Sequence, residues 1–138
     1  MPTLKNVEEL EAWKKARELA KAIYALTASG PLARDFILRD QLRAAAVSAV
    51  SNIAEGFERG GDKEFRQFLA QAKGSTGEIV AQICVALDAG FIDQDTHDRV
   101  KRLATETSRL RGGLIRYLTT SGMHGSKFGE GGPATSRT

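Results

Sequence analysis

Apolar residues recur three and four positions apart along four stretches of this chain, and each stretch predicts a helix. The first runs from Val7 to about Ser29, with Asn6 as N-cap and Glu9 completing a capping box. Leu10, Trp13, Ala16, Ala20, Ile23 and Thr27 carry its apolar stripe, widened by Leu19 and Leu26, and Gly30-Pro31 ends it. The second lies between Leu38 and Arg59 and ends at Gly60-Gly61; its centre, Ala44 to Ser51, is made mostly of small side chains that let a neighbour approach closely. The third starts near Asp62 behind Gly61 and ends at Gly90. Phe65, Phe68, Leu69, Ala72, Ile79, Ile83, Ala86 and Leu87 form its apolar face. The fourth spans about Gln94 to Thr120 with Asp93 as cap, and Val100, Leu103, Thr107, Leu110, Leu114 and Tyr117 keep the spacing of a bundle seam. Gly112-Gly113 weakens it by about 1 kcal/mol per glycine relative to alanine. From Ser121 the periodicity stops and glycine dominates.

These elements predict an all-α fold, an antiparallel up-down-up-down four-helix bundle over residues 1–120 with a flexible Gly-rich tail over 121–138.

Polar residues interrupt the pattern in two rows. Gln41, Ser48, Asn52, Glu55 and Arg59 fall within about 60° of one another around one helix, and Gln71, Ser75, Glu78 and Gln82 form a similar row on the next. Three readings fit: a solvated face, a hydrogen-bonded network that fixes helix register or joins protomers, or a ligand site around Glu55 and Glu78. The last needs carboxylates in a pocket with tuned proton affinity, and no histidine accompanies them on either helix.

Composition narrows the function classes. The 138 residues suit one domain. A single cysteine excludes an internal disulfide framework and multi-cysteine zinc sites. Cys84, set among Ile79, Ile83 and Leu87, reads as a buried inert thiol, and His97 as exposed. With His124, these are the available members of any nucleophile–base pair, and neither histidine has the Glu-x-x-His spacing of a di-iron bundle. No phosphate-binding glycine loop occurs. The reading is therefore a non-enzyme without cofactor or metal. The opening residues lack a signal-type apolar run, and no stretch is long enough to span a bilayer, so a cytoplasmic protein with no membrane partner is expected.

The same residues resemble a known family. Leu10-Glu11-Ala12-Trp13-Lys14-Lys15-Ala16, Gln41 to Ser48, Asn52-Ile53-Ala54-Glu55-Gly56, and Gly74-Ser75 with Glu78 are similar to motifs of the 23S rRNA intervening-sequence proteins, which are themselves similar to accessory proteins of diversity-generating retroelements. The likeness covers about residues 7–120. It departs where the family often has two consecutive basic residues (here Arg43-Ala44), proline before Ser51 (here Val50) and a serine cap (here Gly61). The resemblance implies a ring of identical subunits, a homopentamer, with no catalysis and no cofactor. For retroelement relatives it also implies binding to a reverse transcriptase and to nucleic acid. It makes Gln41, Ser48, Asn52, Glu55, Ser75 and Glu78 structural motif positions.

Charge adds one independent argument. The chain carries +3 overall, but between Arg99 and Arg116 the six cations Arg99, Lys101, Arg102, Arg109, Arg111 and Arg116 stand against a single Glu106. A ring would repeat that patch and focus its field on phosphate. Arg99, Lys101, Arg102, Arg109 and Arg116 are the candidate contacts to RNA or DNA. The expected function is an oligomeric nucleic-acid-binding adaptor. The alternative is a protein–protein scaffold with no nucleic-acid role, in which Trp13, Tyr24 and Phe36 anchor the interface.

Overall fold

A computed structural model describes residues 10–59 and 61–121, with side chains placed through Arg109 except at Asp62. The described residues form five helices: α1 (Glu11–Leu26), α2 (Gly30–Arg34), α3 (Phe36–Arg59), α4 (Asp62–Asp88) and α5 (Gln94–Ser121). No strand occurs among them. The fold is all-α, as the periodicity predicts. It is not the simple up-down-up-down four-helix bundle expected above.

The extra element arises at Gly30-Pro31, which stops one helix and starts another. Gly30 takes φ +74°, a backbone conformation that favours glycine. Pro31 then occupies the first turn of α2, where its missing N–H costs nothing. Leu32 is buried and anchors this five-residue helix. Asp35 follows and accepts the Leu38 backbone N–H at 3.0 Å, so α3 starts two residues before the expected Leu38.

Leu10 is the extended residue that precedes Glu11, and it is buried in the core. Asn6 and Glu9 lie outside the described residues, as does the proposed tail beyond Ser121. At the other end of the chain, α5 runs through Gly112-Gly113 without a break.

Each long helix packs on two others: α1 on α3 and α5, and α4 on α3 and α5. Two apolar clusters hold them. One joins Leu19, Ile23, Leu32, Leu42, Ile79, Ile83, Val100 and Ala104; the other joins Leu10, Ala16, Ile53, Phe57, Phe65 and Leu69. Phe57 and Phe65 meet edge to face, with ring centroids 6.1 Å apart.

Two devices fix the helix ends that frame the site. The Phe91 N–H reaches the Ala86 carbonyl at 2.9 Å and the Gly90 N–H reaches that of Leu87 at 3.0 Å, closing α4 as a Schellman turn with Gly90 at φ +79°. Arg43 closes α1: its Nε donates to Thr27 Oγ1 at 2.8 Å, a terminal nitrogen donates to the Thr27 carbonyl at 3.2 Å, and the guanidinium lies over the Tyr24 ring. A cation at a helix C-terminus is favoured by the helix dipole. Arg43 is thus committed to the fold.

Candidate functional site

The inner face of α5 is His97, Val100, Ala104 and Thr107, at spacings of three, four and three. That stripe turns the opposite side of the helix to solvent. Asp98, Lys101, Arg102, Thr105 and Arg109 lie within about 100° of one another on that side. With Glu106 they line an open groove of about 580 Å³.

The two carboxylates of the groove are engaged. Asp98 accepts from Gln94 Nε2 at 2.9 Å and lies 2.9 Å from His97 Nδ1. These hydrogen bonds, that of His97 first, hold its carboxyl below its ordinary range. Its contribution to stability is therefore present above the unfolded-chain value and is lost as pH falls through the folded one. Glu106 lies 3.5 Å from Lys15 of α1, which also meets Glu18 at 3.2 Å. The Glu18 hydrogen bond is the main cause that raises the Lys15 ammonium above its ordinary value. Lys101, Arg102 and Arg109 are exposed and form no ion pair among the described residues.

The candidate cations therefore separate. Lys101, Arg102 and Arg109 share one groove. Arg99 is exposed but lies about 100° around the helix from Asp98, off that line. The side chain of Arg116 is outside the described ones, as is that of Arg111.

The polar rows also separate. Ser48, Asn52 and Ser75 come together between α3 and α4. Asn52 Nδ2 donates to Ser48 Oγ and to the Ser48 carbonyl, each at 2.9 Å, and Ser75 Oγ donates across the interface to Ser48 Oγ at 2.9 Å. Glu55 is not part of this network; it pairs with Arg59 at 3.2 Å on the exposed surface, an arrangement worth only about 0.3–0.5 kcal/mol. Gln41, Ala44, Ala45, Ser48, Glu78, Ala81 and Gln82 line a second open groove, of about 530 Å³, between α3 and α4. Gln82 Oε1 is buried there without a donor among the described residues. Exposed Ile37 and Val85 project from the same faces of α3 and α4.

Two expectations are reversed. Cys84 is exposed, not buried, and His97 is buried, with 7% of its surface exposed. They meet, with Cys84 Sγ 3.5 Å from His97 Nε2. The three–four spacing already carried both facts. His97 lies three residues before Val100 on the seam, while Cys84 follows Ile83 by one residue and so turns about 100° away from the core.

Among the described residues, no cluster of three or more potential metal ligands occurs, and no helix is long and apolar enough to cross a membrane. Residues 8–113 match the sequence model of a family described as 23S rRNA-intervening sequence protein. No curated protein matches the chain. The fold is similar to a crystal structure of a protein of unknown function from the S23 ribosomal protein family of Bacteroides thetaiotaomicron. The TM-score is 0.69 at 18% identity, over 76% of this chain and 98% of that one.

Proposed function

The chain belongs to the 23S rRNA-intervening sequence protein family, and from that premise we propose that it is a non-enzymatic, cytoplasmic adaptor that self-associates into a ring and binds nucleic acid along α5. The observation that carries the reading is the α5 groove. Lys101, Arg102 and Arg109 line it with no ion pair among the described residues, and of the two carboxylates there Glu106 is paired with Lys15, so positive charge is in excess along the groove. Such a surface recognises phosphate through charge, without base readout.

Self-association is supported by the α3–α4 groove. A buried Gln82 carbonyl with no donor among the described residues, small alanines at 44 and 81, and exposed Ile37 and Val85 suit the packing of a second copy. An unsatisfied buried acceptor costs about 1–3 kcal/mol, which a donor from a neighbouring subunit would recover. The count of five subunits rests on the family resemblance.

Fluorescence anisotropy with a labelled single-stranded RNA and a DNA duplex tests the nucleic-acid reading. Binding at low salt is expected, and Lys101→Glu, Arg102→Glu and Arg109→Glu combined are expected to weaken it by more than about tenfold. Equal binding by the variant, or none by the wild-type protein, contradicts the proposal. Light scattering tests assembly. Ala44→Arg places an exposed charge in the α3–α4 groove and is expected to yield monomers with unchanged helical content. An unchanged oligomer, or a wild-type monomer, contradicts it.

A further inference from the structure

The contact between Cys84 and His97 lies on the α5 side of α4, away from the α3–α4 groove, and does not depend on the function proposed above. His97 is held in place by the core, as its burial beside Val100 and Ala104 requires. Its two ring nitrogens face different partners. Nδ1 lies 2.9 Å from Asp98 Oδ1, with Gln94 Nε2 farther off at 3.4 Å, and Nε2 lies 3.5 Å from Cys84 Sγ. A second donor, Gln94 Nε2, holds the same Asp98 oxygen at 2.9 Å.

This geometry selects a tautomer. An ionised Asp98 can only accept, so Nδ1 carries the proton and donates it. In the neutral ring Nε2 is then a bare lone pair aimed at the thiol. A thiol, a base and a group that orients the base are thus arranged in series, and the thiol is open to solvent. Neither groove described above includes Cys84, so the arrangement suits modification of the protein itself.

The geometry points to Cys84 as a site of reversible thiol–disulfide exchange with low-molecular-weight disulfides, with His97 as its base and Asp98 as a positioning residue. In the step, His97 Nε2 takes the Cys84 proton and the thiolate attacks one sulfur of the disulfide. A new sulfur–sulfur bond forms as the old one breaks. The departing thiolate takes the proton back from His97 and leaves as a thiol. The products are a mixed disulfide on Cys84 and one free thiol, with no net change in oxidation state.

The test follows exchange of the full chain with oxidised glutathione at neutral pH, by mass spectrometry. One adduct per chain, on Cys84 and removed by a reducing thiol, is expected, forming faster than on the urea-unfolded chain. His97→Ala is expected to slow the reaction by at least about tenfold, and free imidazole in the buffer is expected to restore part of the rate. Because removal of a buried ring could unfold the protein, Asp98→Asn supplies the second arm. Its side chain is half exposed, so the fold is retained while exchange slows; Asp98→Glu is expected to recover the rate. Equal rates in wild type, His97→Ala and Asp98→Asn would overturn the assignment, as would a folded chain that reacts no faster than the unfolded one or a rate that imidazole leaves unchanged.

Discussion

Gly56→Ala is expected to destabilise the protein by about 2 kcal/mol, opposite in sign to what helix propensity alone gives. Gly56 is buried in the interior of α3, where alanine would ordinarily add about 1 kcal/mol. A Cβ built there would lie 2.8 Å from Phe65 Cδ1, 2.8 Å from Phe68 Cβ and 3.3 Å from the Phe65 Cα. Phe65 is wholly buried and cannot rotate away, and the Phe68 Cβ moves only with the α4 backbone. Overpacking costs up to about 3 kcal/mol in such places and outweighs the propensity gain. Urea denaturation measures the result. A variant as stable as the wild type, or more so, would show that α3 and α4 can separate at this crossing.

Phe57→Ala is expected to be costlier, at about 3–5 kcal/mol. The ring is fully buried against Phe65, edge to face, in the cluster that joins α1, α3 and α4. Its removal deletes the transfer energy of the ring and leaves a cavity that neighbouring helices cannot fill without moving. Domains of this kind hold only about 5–15 kcal/mol in total, so the variant is expected to be marginally folded at room temperature. Phe57→Leu, which keeps most of the volume, is expected to cost under about 1.5 kcal/mol. A loss below 1 kcal/mol in Phe57→Ala, flagged by an unchanged denaturation midpoint, would mean the second cluster contributes little.

The long helices were legible because burial imposes one period over many residues. Phe65, Leu69, Ala72, Ile79, Ile83 and Ala86 all lie in the core, and Asp93 caps α5 through the Thr96 N–H at 2.8 Å. The short helix α2 escaped that logic. Five residues do not complete two turns, so Leu32 alone could not declare a period, and Gly30-Pro31 reads equally as an end or a beginning. The resemblance block ending in Glu55-Gly56 was visible as a pattern, but its physical reason was not. Only the approach of Phe65 and Phe68 shows why the position excludes a side chain. The helical period places the polar rows on two faces. Which members meet depends on helix crossing, and this joins Ser48, Asn52 and Ser75 while leaving Glu55 to its surface pair. The Cys84–His97 contact spans two helices and could be found from sequence only by assigning each residue to its own face first.

Arg43 shows how the departure from the family pattern is absorbed. The chain has one basic residue there, and the structure gives it to Thr27 and Tyr24, closing α1. In the function proposed above, phosphate contact is assigned to α5, where Lys101, Arg102 and Arg109 form no ion pair among the described residues. The direct measurement of that claim is the dependence of RNA affinity on salt concentration. Three phosphate contacts per subunit predict that log K falls with log salt at a slope of about −2, and more steeply when several subunits engage one strand. A slope near zero, or an affinity unaffected between low and physiological salt, would contradict it.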